Sequence, residues 1–156
     1  MRTVRPDAKE GVIPNPGCGW MLMMPGAGPE VFRDWRWVTA VYYRVDWATL
    51  EPEEGRYAWD DAKWEGDFRR WTERGYSVGL DVMCCNPHGP TFCTPQWVAE
   101  AGCKGHFYRR DGGDPMHHGV VMDRWEPDYG DPVFKRKLEA FLTAMAARYD
   151  DDPMVE

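Results

Sequence analysis

The sequence predicts an α/β fold built on parallel strands, and three observations predict it. Short apolar runs alternate with amphipathic helical stripes, an order that implies right-handed βαβ units. Ionisable residues gather at the C-terminal ends of those runs, where parallel sheets collect their ligand groups. The chain of 156 residues, 43% hydrophobic and 29% charged, is long enough for one core burying about 70% of its unfolded surface.

Residues 1–14 read as an irregular lead-in, and residues 15–156 as the folded unit. Cys18 to Met24 is an apolar run closed by Pro25-Gly26, the pattern of a buried first strand. Pro29 to Trp35 suits one or two helical turns. Val38 to Trp47 is the strongest strand: Thr39, Val41, Tyr43, Val45 and Trp47 form an apolar face, while Ala40, Tyr42, Arg44 and Asp46 form one that becomes charged. A loop follows to Trp59. Trp64, Phe68 and Trp71 then trace one stripe of a helix from about Asp61 to Arg74, with Gly75 as its stop. Tyr76 to Cys84 reads as a third strand carrying Asp81 on its polar face. Residues 85–130 show no long periodicity, only a short helix near Pro95–Ala101, yet they hold too many aromatics for simple disorder. Asp131-Pro132 opens a strong helix with Phe134, Leu138, Phe141, Met145 and Tyr149 on one stripe. Met154-Val155-Glu156 reads as the onset of another strand.

Several function classes are excluded on composition. A net charge of −7 argues against nucleic acid, since the lone basic cluster Lys135-Arg136-Lys137 shares its helix with acidic residues. No apolar run reaches about 18 residues, so no membrane-spanning helix is expected. Met1 to Gly11 lacks the apolar stretch of a secretory signal. Five cysteines, an odd number with Cys84-Cys85 adjacent, read as thiols and favour a reduced, cytoplasmic setting. Structural zinc is the rival use of Cys84, Cys85, Cys93, Cys103, His106, His117 and His118. Only Cys103 to His106 has knuckle-like spacing, so no metal or other cofactor is expected. Nine tryptophans are many for this length; core packing accounts for most, but the flat apolar face of an indole also suits the C–H face of a pyranose.

A family resemblance rests on particular residues. Arg44, Asp46 and Trp47, followed by Leu50-Glu51-Pro52-Glu53-Glu54-Gly55-Arg56-Tyr57-Ala58-Trp59, are similar to the R-x-x-W-x-x-[LI]-E-P-x-x-G-x-[YF]-x-[WF] stretch of barrel glycosidases. The stretch looks most like the family 42 β-galactosidases and their clan-A relatives. Asn15-Pro16-Gly17-Cys18-Gly19-Trp20 resembles the opening of further bacterial barrel proteins, and Arg148 to Val155 resembles the run that leads into their fourth strand.

The resemblance implies a partial (β/α)8 TIM barrel, about the first three to four βα units, ending before strand four is complete. In clan A the acid/base Glu ends the fourth strand and the nucleophile lies on the seventh, so no catalytic residue is expected here; Glu156 is too early. It implies an O-glycosidase portion acting on a carbohydrate such as a β-galactoside. Arg44, Asp46, Trp47, Asp81 and Asn86 would form pocket wall, and Trp97 and Trp125 sugar platforms, with core packing the competing reading of each. An Arg44–Asp81 pair is expected between neighbouring strands, and Glu51 is expected to fix its loop through backbone N–H groups. The alternative is a barrel-derived protein that binds sugar or zinc without catalysis. Open sheet edges imply self-association.

Overall fold

A computed structural model of the chain describes residues 19–23, 28–60, 62–87, 89–110 and 122–155. The lead-in, Asn15 to Cys18, His117, His118 and Glu156 lie outside them.

Three parallel strands, β1 (Trp20–Met23), β2 (Val38–Asp46) and β3 (Ser77–Met83), form a sheet in the order β1-β2-β3. The sheet is the parallel arrangement that the alternating pattern predicts. Between β1 and β2 runs the helical turn α1 (Pro29–Phe32). Helix α3 (Ala62–Thr72) joins β2 to β3. Its end is a Schellman motif: Gly75 takes φ 81°, its N–H donates to Thr72 O at 2.9 Å, and Tyr76 N donates to Trp71 O at 3.2 Å. The long helix α5 (Pro132–Tyr149) starts where Asp131 accepts hydrogen bonds from Val133 N and Phe134 N, with Pro132 at its first position. Beyond α5 the chain returns to the sheet: Val78 N donates to Met154 O at 2.7 Å, and Val155 bridges Val78 in parallel. The strand onset read at Met154-Val155 therefore meets the free edge of β3.

Two stretches depart from the sequence reading. Trp47, read as the last residue of the second strand, begins a helical turn, α2 (Trp47–Leu50). Trp47 and Leu50, three apart on that turn, are both fully buried, which favours the turn over continued extension. The segment 85–130 holds the expected short helix, α4 (Gln96–Glu100), but also an antiparallel pair, β4 (Gly105–Arg110) and β5 (Met122–Pro127).

The apolar face of β2 and β3 packs under helices. Val41 and Val78 meet the buried Trp71 of α3, whose Nε1 donates to Tyr43 Oη at 2.8 Å. Farther along, Val45 joins Trp47, Leu50, Trp125, Phe134 and Phe141 in the main core. The opposite face carries Tyr42, Arg44 and Asp46 beside Gly79, Asp81 and Met83, their partners in register.

Candidate functional site

Register, not loop geometry, assembles the polar cluster. In-register pairing sets Arg44 directly across from Asp81, and their side chains meet with Arg44 Nε 3.2 Å from Asp81 Oδ2. This is the cross-strand pair that the sequence predicts. Tyr42, two residues earlier on the same face, donates from its hydroxyl to Asp81 Oδ2 at 2.5 Å. Arg44 lies over the Tyr42 ring, its guanidinium carbon 5.5 Å from the centroid. The Tyr42 hydroxyl and the Asp81 charge raise the Arg44 guanidinium from its ordinary value, so the cation persists at any working pH. Both partners are partly solvated, and solvent screening leaves the pair small in stability; its consequence is orientation.

Asp46 ends β2 one layer deeper. Its Oδ1 is buried without a hydrogen-bond partner among the described residues. The Cys93 thiol lies beside this carboxylate; burial first, and then the Asp46 charge, push that thiol up to about 12. Cys93 reaches this position because Ala48 N donates to Cys93 O at 2.7 Å and Thr94 N to Cys84 O at 3.1 Å. Asn86 sits in the adjoining turn, where its carbonyl accepts from Gly89 N at 3.0 Å. Pairing of β4 with β5 carries Tyr108 over the same strand ends, its hydroxyl 3.3 Å from Cys85 Sγ. Burial and that thiol push the Tyr108 hydroxyl up to about 12.

The structure thus gathers Arg44, Asp46 and Asp81 toward the C-terminal ends of β2 and β3, with Asn86 in the turn that follows β3. The three tryptophans are placed otherwise. Trp47 is 0% and Trp125 5% exposed, and both lie in the main core, so neither ring offers a face for stacking. Trp97 is half-buried; its Nε1 donates to Glu51 O at 3.1 Å, its ring meets Trp47 edge-on, and Lys137 Nζ lies 5.8 Å from its centroid. For these rings the packing reading describes the observed contacts. Glu51 is buried, and its carboxylate accepts from Trp47 Nε1 and Gly55 N at 2.8 Å each. The L-E-P-x-x-G stretch is thereby a self-locking loop, as expected.

Tyr42 was not among the site residues drawn from the sequence. The signal for it was the strand alternation, which puts Tyr42 on the face of Arg44 and Asp46. Among the described residues no group of three or more His, Cys, Asp or Glu side chains is placed to hold a metal ion. Cys103 Sγ donates to Lys104 O instead, and His106 faces Glu126 across 3.8 Å. No described helix is long and apolar enough to cross a membrane.

A parallel sheet with carboxylates and a guanidinium toward the C-terminal ends of its strands places its polar groups where parallel α/β folds bind ligands. The family model for the beta-galactosidases of glycoside hydrolase family 42 matches residues 34–156. The chain belongs to that family of glycoside hydrolases. No curated protein and no solved structure matches it.

Proposed function

We propose that residues 15–156 form the N-terminal wall of a (β/α)8 barrel that hydrolyses O-glycosidic bonds of a β-galactoside or similar sugar. The family match over residues 34–156 carries this reading. The parallel β1-β2-β3 order and the parallel bridge of Val155 to β3 support the barrel part of it. In this reading Arg44, Asp46, Asp81 and Asn86 contact the sugar, while Trp47, Trp97 and Trp125 hold the wall that carries them. Retaining hydrolysis needs two carboxyl groups about 5–5.5 Å apart across the scissile bond. We assign both to strands outside these 156 residues, following the clan-A resemblance, in which the acid/base Glu ends the fourth strand and the nucleophile lies on the seventh.

Sequencing the reading frame through the codon for Glu156 tests the proposal, together with assay of its product on a chromogenic β-galactoside. The expected result is Glu at the ends of a fourth and a seventh strand, with hydrolysis abolished when either is replaced. A stop codon directly after Glu156 overturns the catalytic reading and leaves sugar binding in its place.

A further inference from the structure

We propose that Asp81 Oδ1 accepts a hydroxyl of the bound sugar, and that Tyr42 is the positioning residue that aims it. The inference rests on the carbohydrate reading above and adds the atom that meets the ligand and the group that holds it.

Two donors converge on one oxygen of Asp81. The Tyr42 hydroxyl lies 2.5 Å from Oδ2 and Arg44 Nε 3.2 Å from it. An ionised carboxylate accepts at both oxygens, and the Tyr42 and Arg44 contacts both fall on Oδ2. The Asp81 side chain is 37% exposed, so the carboxylate is open to a group from outside. Fixing one oxygen removes rotational freedom that a ligand would otherwise have to freeze out on binding.

Tyr42 reaches Asp81 because the residue between them on that face is glycine. Tyr42 pairs with Gly79, and Asp81 is the next residue of β3 on the same face. A Cβ on Gly79 would sit 3.6 Å from Tyr42 Cδ2 and 3.4 Å from Met21 Cε. Alanine would therefore fit, but the branches of a valine would take the space used by the ring. The charges of the cluster define the ligand class. Asp46 and Asp81 outnumber Arg44, so a neutral sugar, rich in hydroxyl donors, is favoured over a uronate.

The test is a calorimetric titration, with galactose and with galacturonate, of the protein encoded by the whole reading frame. The variants are Tyr42→Phe, Asp81→Ala, their double mutant, Gly79→Val, and Tyr43→Phe as a control on the helix-covered face. Asp81→Ala is expected to weaken galactose binding about tenfold and Tyr42→Phe about threefold or more. The Tyr42→Phe loss is expected to vanish in the Asp81→Ala background, because a positioning residue acts only through the group it positions. Gly79→Val should reproduce Tyr42→Phe, Tyr43→Phe should leave affinity unchanged, and galacturonate should bind more weakly than galactose. In the ligand-free chain, the Tyr42 hydroxyl proton should give a downfield resonance that disappears in Asp81→Ala.

Equal losses from Tyr42→Phe with and without Asp81 overturn the positioning role while leaving the carbohydrate reading intact. Unchanged affinity in Asp81→Ala overturns the contact. Failure of the wild-type protein encoded by the whole reading frame to bind any neutral sugar overturns the carbohydrate reading and this inference with it, whereas the hydroxyl resonance still reports on the Tyr42–Asp81 bond. Should Tyr42→Phe not fold, Gly79→Val carries the positioning test alone.

Discussion

At the residue scale, the Cys84 and Cys93 thiols are held in their protonated form. Burial pushes Cys84 up to about 11 and, with the Asp46 charge beside it, Cys93 up to about 12. The thiolate is the reactive species, so both side chains are inert near neutrality. At pH 8 iodoacetamide is expected to leave Cys84 and Cys93 unmodified in the folded chain and to alkylate both in denaturant, read by peptide mass mapping. Native labelling at the denatured rate would refute the burial argument. The same shifts fix a sign for stability. The folded chain holds these protons more tightly than the unfolded one, so their contribution is complete below the ordinary thiol value of 9.0 and lost as the pH rises from there toward the folded values. The urea midpoint should therefore fall on the alkaline side, and Cys93→Ala should flatten that fall.

At the scale of the element, α5 shows how much a local signal can carry. Asp131-Pro132 announces its start in the sequence, and the structure adds a partner that spacing could not show: Lys104 N donates to Asp131 Oδ2 at 3.3 Å, tying the helix to the entrance of β4. Burial opposes ionisation of Asp131, but the backbone N–H groups of Val133, Lys104 and Phe134 outweigh it and hold the carboxyl below its ordinary value. A depressed carboxyl stabilises the fold above its ordinary value of 3.8 and loses that effect as the pH falls through the lower, folded value. Asp131→Ala is expected to lower Tm by about 2–4 °C at pH 7, with the gap from wild type closing in acid. A gap independent of pH would mean that the cap acts through packing rather than charge. Strand β2 was legible for a related reason, since alternation separates Val41 and Val45 from Arg44 and Asp46 without outside help. Strands β4 and β5 were not. Phe107 is 62% exposed while its partner Trp125 is buried, so the pair lacks the apolar-in, polar-out pattern that alternation detects. Trp47 misled because its burial is set by Phe134 and Phe141 on α5, far away in sequence. The Arg44–Asp81 contact was legible because register follows from strand pairing; Tyr42 escaped because a tyrosine beneath a charged pair reads equally well as packing.

For the whole molecule, the sheet has two edges of different character. On β3, Val155 already bridges the edge at Val78. On β1 nothing among the described residues pairs beyond Trp20–Met23. Trp20 is 73% and Met23 64% exposed there, and Trp35 and Trp37 are exposed as well. An unpaired edge strand bearing large apolar side chains is a template for another strand, and an exposed apolar surface of this kind favours association. A second copy of the chain is the partner always at hand, and each copy offers the same edge. The expected outcome is concentration-dependent self-association of the 156-residue chain in analytical ultracentrifugation, relieved when Met23→Lys places a charge on the edge. The contrast with Leu142→Lys makes the test specific. Leu142 is 48% exposed on α5, so its replacement should leave association unchanged if β1 is the surface involved. A chain that stays monomeric at every concentration, or that responds equally to both substitutions, would show that the β1 edge does not recruit a partner.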